Sequence, residues 1–316
     1  MNKKIDSIII GMGNIGYFYD QNLNQKFILS HNRAINRNKK FNLIAVVDND
    51  NSKINKIKKN FKNKLYLTVD SCLNIHNPEL VVVATPKNTH YKILKKLLIK
   101  KSIKFIVCEK PVCSTLEQFQ KILNLQKKYK KKIFVNYTRN YNPALNTIKK
   151  NIDKKVYGSF NKGIVWYTKD LIENGSHFVS LMIYFFGIPK NYRLIDKNNN
   201  SEIDFLLIFK DISIFFINRD HKSFSMGTFE LYSKNYKISF EDDKSIEIYK
   251  FFNDTFQRKE KKMKLFKTIN YPKNKNISYL YQNIFNNLSK SEKIMSDAKN
   301  ALLTKNIIHK IIKDEK

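Results

Sequence analysis

Cysteine, glycine and arginine are scarce in this chain of 316 residues, and long apolar runs are absent. Three cysteines, Cys72, Cys108 and Cys113, are too few for a disulfide framework. Their spacing matches no zinc motif, so no metal site is read and a reduced, cytoplasmic setting is the expectation. The longest apolar stretch, Phe178 to Ile188, is too short to span a bilayer and carries Ser180 and Gly187. The start, Met1 to Asp6, leads straight into Ile8-Ile9-Ile10, so no secretory leader and no membrane segment are expected. All but six of the 59 basic residues are lysine, and acidic residues number only 27, which leaves a formal net charge of +32. The lysines are spread along the chain, with no interleaving of aromatic and basic residues suited to base stacking. Together with the wealth of Asn, Ile, Phe and Tyr, they read as the imprint of an AT-rich coding sequence on outer helix faces. A nucleic-acid groove is disfavoured, although so basic a surface concentrates anionic ligands.

Hydrophobic residues at 42% and aromatics at 13% supply a packed interior, and the length suits two domains. Short β-branched and aromatic runs occur at Ile5–Ile10, Leu43–Val47, Leu80–Ala84, Phe105–Cys108 and Ile133–Val135. Helical patterns separate them. Tyr91, Leu94, Leu97 and Leu98 form one stripe, and a capping box at Ser114-Thr115-Leu116-Glu117 opens another. Strands alternating with helices predict a doubly wound parallel sheet over 1–137. From 138 to 316 the pattern changes to a buried helix over Glu173–Phe186 and to extended runs at Gly158–Thr168, Ile203–Phe209, Ile212–Asn218, Thr228–Ser233, Tyr236–Phe240 and Ser245–Phe252. That half is expected to be an α+β domain with a mostly antiparallel open sheet, closed by two helices. No internal repeat and no long linker is visible.

Three of the eight glycines fall within six residues, at the end of the first strand. The segment Gly11-Met12-Gly13-Asn14-Ile15-Gly16 follows Ile8–Ile10 and is expected to open a helix, the context of a dinucleotide-binding turn. Gly11 permits the tight turn, Gly13 lets a diphosphate approach the backbone, and Gly16 lets helix and strand pack closely. The phosphates would then sit at the helix N-terminus. The second strand ends in Asp48, whose carboxylate suits the adenosine ribose hydroxyls and repels a 2′-phosphate. NAD is therefore favoured, with NADP admitted if a neighbouring lysine offsets that charge. Asp48 lies 32 residues beyond Gly16, against a usual ~20, which predicts an extension between Tyr17 and His31. A further apolar run ends in Cys108-Glu109-Lys110-Pro111. A lysine at a strand C-terminus, fixed by a following proline, is a positioned cation able to exchange a proton with a reacting hydroxyl or carbonyl.

The ordered set of Gly11–Gly16, Asp48, Ala84-Thr85-Pro86 with His90, Glu109-Lys110-Pro111, Asn136 to Pro143, Asn174-Gly175-Ser176-His177, and the closing Ile284-Phe285 and Asp297-Ala298 resembles the Gfo/Idh/MocA family of oxidoreductases over nearly the whole chain. The resemblance implies an NAD(P)-dependent enzyme that moves a hydride to or from a hydroxyl or keto carbon of a sugar, sugar nucleotide or cyclitol. The form of the Asn174–His177 segment is similar to members tied to bacterial surface-polysaccharide synthesis. It also implies Lys110 as the catalytic lysine, often before a cis proline, and Glu109 as the holder of the nicotinamide ribose. Thr85, Pro86, His90 and Asn136 would sit at the cofactor, and His177 would meet the reacting hydroxyl. A homo-oligomer, dimer or tetramer, is expected through the open sheet. Two positions depart from the family pattern: Glu173 stands where an aspartate is common four residues before the histidine, and Ser180 replaces an aspartate three residues after it. A non-catalytic NAD-binding regulator of the same fold is the alternative that these departures raise.

Overall fold

The computed structural model describes residues 4–199, 202–219, 227–242, 244–253, 261–272 and 275–314. The first unit holds six parallel strands: β1 (Ile5–Ile10), β2 (Phe41–Val47), β3 (Leu65–Tyr66), β4 (Leu80–Val83), β5 (Phe105–Cys108) and β6 (Lys132–Val135). Their order across the sheet is β3-β2-β1-β4-β5-β6, with the reversal at β1/β4 that defines a doubly wound Rossmann sheet. Between them run α1 (His31–Asn36), α2 (Asn51–Ile57), α3 (Val69–Ile75), α4 (Lys87–Ile99) and α5 (Leu116–Lys128).

Strand side chains alternate between two apolar layers, as the period of two demands. Ile9, Val46, Val82, Val107 and Phe134 pack on one side with Ala34 and Ile35 of α1. Ile8, Ala45, Val81, Ile106 and Ile133 pack on the other with Leu94, Leu97, Leu98, Phe119 and Ile122 of α4 and α5. Both faces are covered, so β4 and β5 are buried throughout.

The second unit contains α6 (Pro143–Asp153), β7 (Phe160–Tyr167), α7 (Ser176–Phe186), β8 (Asn191–Lys197), β9 (Ile203–Ile208), β10 (Ser213–Asn218), β11 (Gly227–Ser233), β12 (Tyr236–Glu241), β13 (Ile246–Asn253) and β14 (Lys261–Ile269). These eight strands form one sheet, antiparallel except where β10 runs beside β7. Val165, Phe205, Phe216, Phe229, Ile238 and Ile248 point inward against Phe178, Leu181, Met182 and Phe185 of α7. Trp166 and Phe215, on the other face, stay more than a third exposed.

The chain ends in α8 (Asn276–Lys290) and α9 (Ala298–Lys313). The compact units divide at Tyr141/Asn142, and residues Asn274–Leu302 count with the first unit. The sequence reading placed the boundary at 137/138 and the whole remainder in the second domain. The difference has a physical cause. The buried stripe of α8, Ile277, Leu280, Tyr281 and Ile284, completes the apolar layer around Ile35 and Phe41, and each such burial is worth about 1.5–3 kcal/mol. Three strands lay outside the sequence expectation: β3, only two residues long, and the two edge strands β8 and β14. Their sequences, Asn191-Tyr-Arg-Leu-Ile-Asp-Lys197 and Lys261-Lys-Met-Lys-Leu-Phe-Lys-Thr-Ile269, carry the charged residues that edge strands use against edge-to-edge pairing.

Candidate functional site

The three clustered glycines meet three different constraints. Gly11 has φ +97°, and a Cβ there would stand 2.5 Å from the Ala84 carbonyl oxygen at the end of β4. A Cβ at Gly16 would fall 2.1 Å from the Gly11 oxygen, so that contact admits only hydrogen. At Gly13 nothing lies within 4 Å of the Cβ position. The turn is stitched to β2 by Gly11 N donating to the Val47 carbonyl (2.8 Å) and Met12 N donating to Asp48 Oδ2 (2.7 Å). The amides of Gly13, Asn14 and Ile15 donate to no acceptor among the described residues. Open space beside unspent amides is the requirement of an anion cradle.

The helix expected to open at the glycine turn is interrupted, with the predicted extension lying between Tyr17 and His31. One helical turn closes with Tyr17 N on the Gly13 oxygen (2.8 Å), a 3-10 turn follows at Phe18–Asp20, and α1 begins only at His31. Yet His31 N donates to the Ile15 oxygen (2.9 Å) and Asn32 N to the Gly16 oxygen (3.0 Å). His31 and Asn32 thus take the places that the nineteenth and twentieth residues would hold in an unbroken helix, and the intervening residues are looped out of it. Asp20, fully buried, closes this loop. It accepts from the Leu29 and Ser30 amides and the Ser30 hydroxyl, each at 2.8 Å, and it pairs with Arg33.

Asp48 also accepts from Asp50 N (2.9 Å), so its carboxylate is fixed by amides on two sides. It lines a cavity of about 650 Å³ together with Gly11, Gly13, Thr85, Pro86 and Thr89. Asp50 faces the same cavity, and hydrogen bonds from Ser52 and Lys53 hold its carboxyl down at about 2. Two carboxylates here favour ribose hydroxyls over a 2′-phosphate. Of the three lysines on the lining, Lys53, Lys92 and Lys96, two are already matched by acids, Lys53 by Asp50 and Lys96 by Asp70. The residues present therefore fit a dinucleotide: unspent amides for the diphosphate, a fixed acid for the adenosine ribose, and a volume suited to a cofactor.

At the C-terminal end of β5, Lys110 precedes Pro111 through a cis peptide bond. Glu109 Oε1 receives His31 Nε2 at 2.9 Å and Asn136 Nδ2 at 2.6 Å. His31 is fully buried, and its Nδ1 lies 2.8 Å from the Tyr281 hydroxyl. His90 is buried too, with Nε2 on the Thr85 carbonyl (2.7 Å) and Nδ1 on that of Pro111 (3.0 Å). His90 is not on the cavity lining. It ties the Thr85-Pro86 turn to the Lys110-Pro111 turn. His31, Tyr281 and Asp20 escaped the sequence reading. The Ser30 N-cap marked a helix start at His31, but nothing local marked partners 78 and 250 positions away.

Residues 5–137 match the model of the oxidoreductase family with an NAD-binding Rossmann fold. That match, to the Gfo/Idh/MocA oxidoreductases, lies within the first unit. An uncharacterized oxidoreductase of Schizosaccharomyces pombe is 28% identical over 147 residues, which span 40% of this chain and 38% of that relative. Among solved structures, an NAD binding oxidoreductase from Klebsiella pneumoniae superposes with a TM-score of 0.80 at 14% identity, covering 98% of this chain and 96% of the other. UDP-N-acetylglucosamine 3-dehydrogenase from Acidithiobacillus ferrooxidans gives 0.74 at 11% identity, over 98% and 97% of the two chains. The structural likenesses show that the fold extends over both units.

In the second unit, the expected helix over Glu173–Phe186 is two elements. A wide π-type turn, Leu171–Gly175, precedes α7. Asp170 caps it by accepting from Glu173 N. Glu173 is exposed, and His177 is half-buried as the second residue of α7, on a helix whose Phe178, Leu181 and Phe185 are core. Among the described residues, no helix is long and apolar enough to cross a membrane, and no group of three or more His, Cys, Asp or Glu side chains could hold a metal ion.

Proposed function

We propose that this oxidoreductase moves a hydride to or from a hydroxyl or keto carbon of a small sugar-like molecule, with Lys110 as its acid–base group. The observation that carries the reading is the position of Lys110 just beyond the C-terminal end of β5, with β4 alone between that strand and β1, which leads into the Gly11–Gly16 turn and its unspent amides. In doubly wound sheets ligands bind outside the carboxyl ends of the strands, at the point where strand order reverses. Bound NAD supplies the hydride chemistry. The Gly13, Asn14 and Ile15 amides hold its diphosphate, Asp48 and Asp50 face the adenosine side, and Glu109 with Asn136 holds the nicotinamide-side ribose. Lys110 takes the hydroxyl proton in oxidation and returns one to the carbonyl oxygen in reduction. His177 is a candidate site residue through the family resemblance alone.

The superposable UDP-N-acetylglucosamine 3-dehydrogenase supports a nucleotide-linked sugar as the first substrate class to assay. Purified protein with NAD, followed by nicotinamide absorbance against a panel of sugar nucleotides, free sugars and cyclitols, is expected to show turnover with at least one. Lys110→Ala is expected to lose roughly a hundredfold or more in rate while binding NADH as the wild type does. An unchanged rate removes Lys110 from the mechanism. NADH binding without turnover across the panel assigns the fold to regulation instead.

A further inference from the structure

The described contacts of the first unit include a buried polar chain that the reaction chemistry leaves unused. It runs from the Tyr281 hydroxyl to His31 Nδ1 (2.8 Å), and from His31 Nε2 to Glu109 Oε1 (2.9 Å). Tyr281 and His31 are fully buried, while the Glu109 side chain keeps 14% of its surface exposed. Hydrogen-bond chemistry orients the chain. An ionised carboxylate only accepts, so His31 Nε2 carries the hydrogen given to Glu109. A neutral ring then accepts at Nδ1, and the Tyr281 hydroxyl donates to it. In this arrangement no buried donor is wasted. Burial, with Glu109 nearby, holds the Tyr281 phenol well above its usual range, which keeps its proton available for donation.

The same logic identifies what the site lacks. Asn136 must turn its amide nitrogen toward Glu109, because the carboxylate cannot donate. Its Oδ1 is therefore left buried with no hydrogen-bond partner among the described residues, and Asn136 is only 3% exposed. Glu109 Oε2 likewise has no hydrogen-bond donor among the described residues. Two acceptors on neighbouring side chains, one of them deeply buried, call for two donors on one ligand. Vicinal hydroxyls of a ribose supply such a pair.

We propose that His31 and Tyr281 are positioning residues, a relay that fixes Glu109 so that it and Asn136 present two acceptors to the ribose diol on the nicotinamide side of the cofactor. This rests on the reading of Glu109 given under Proposed function. Two features of this chain converge in the relay. The looped-out segment before α1 returns the backbone so that His31 occupies its place in the helical ladder, and α8 brings Tyr281 from the far end of the sequence. Cofactor grip at the reactive end thereby depends on a residue 172 positions beyond Glu109 in the chain.

The test uses the full chain and three titrants, NADH, ADP-ribose and ADP, followed by calorimetry. ADP lacks the second ribose, and ADP-ribose carries it. His31→Ala and Tyr281→Phe are each expected to weaken NADH and ADP-ribose by about tenfold, the scale of one hydrogen bond to a charged group, and to leave ADP unchanged. His31→Gln, which restores an amide donor toward Glu109, is expected to recover part of the loss. Tyr281→Phe removes one oxygen and keeps the packing, so it decides the matter if His31→Ala does not fold. Parallel weakening of ADP overturns the relay in favour of a general structural role. If Glu109→Ala weakens ADP-ribose while His31→Ala and Tyr281→Phe do not, the relay is wrong and the ribose reading stands. If Glu109→Ala binds ADP-ribose like the wild type, the ribose reading falls and the relay falls with it.

Discussion

Replacing Gly13 with alanine separates binding from folding. Nothing stands within 4 Å of the new methyl group, and the position does not have the positive φ that Gly11 has. Alanine there restricts the unfolded chain, so stability is expected to hold or to rise by about 0.4–1 kcal/mol. The methyl group projects into the space through which a diphosphate reaches the Gly13, Asn14 and Ile15 amides. Displacing the phosphates weakens hydrogen bonds to charged oxygen worth about 1.5–3 kcal/mol each. Loss of two such bonds lowers NADH affinity by roughly two to four decades. Gly16→Ala is the control of opposite sign. Its Cβ would lie 2.1 Å from the Gly11 oxygen, so the backbone must move, at a cost of about 1–3 kcal/mol in stability. Urea midpoints and NADH titrations on the two variants provide the comparison. A Gly13→Ala protein that binds NADH as tightly as the wild type refutes the anion cradle. One that unfolds early refutes the reading of Gly13 as open.

Asp20→Ala strands two amides, a hydroxyl and Arg33 in a buried setting. It is expected to lower stability by about 3 kcal/mol and to admit protease nicking between residues 21 and 29, read by mass spectrometry. Burial holds the phenols of Tyr141 and Tyr281 well above the usual range. The unfolded chain releases those protons near pH 10 and the folded one does not, so stability falls as pH rises past about 10, by about 1.4 kcal/mol per unit for each tyrosine. Urea midpoints on either side of that pH check it, and a flat profile contradicts the burial. Cys108 is fully buried, its thiol pushed far above its ordinary range by burial and, secondarily, by Cys113 and Glu109. Cys72, also buried, is pushed up to about 11. Native protein is expected to resist iodoacetamide until denaturant is added, with labelling counted by intact mass.

What could be read from the sequence followed from what is local. The runs that became β4 and β5 are buried on both faces and therefore apolar throughout, and the stripes of α4, α5 and α8 show in their spacing. Helical periodicity reveals that α8 has an apolar face but not which layer that face completes, so Tyr281 could not be tied to His31. β14 escaped because an edge strand is written in lysine. The site residues visible in advance were those with a local signature: glycines in a turn, an acid at a strand end, a lysine before proline. Asp20 and His31 act through partners that only the folded backbone brings near, and the looped-out segment between Tyr17 and α1 hid the helical register that places His31.

The path of α8 carries a consequence for synthesis. A ribosome that has released the first 141 residues has made all six strands of the nucleotide-binding sheet, yet the layer over Ile35 and Phe41 still lacks Ile277, Leu280 and Ile284. That surface must wait, uncovered, while the whole intervening unit is translated, and contacts so distant along the chain form late. Expressed alone, the sheet-bearing fragment would present the waiting patch to other chains, and adding residues 274–302 in trans is the natural remedy for its aggregation.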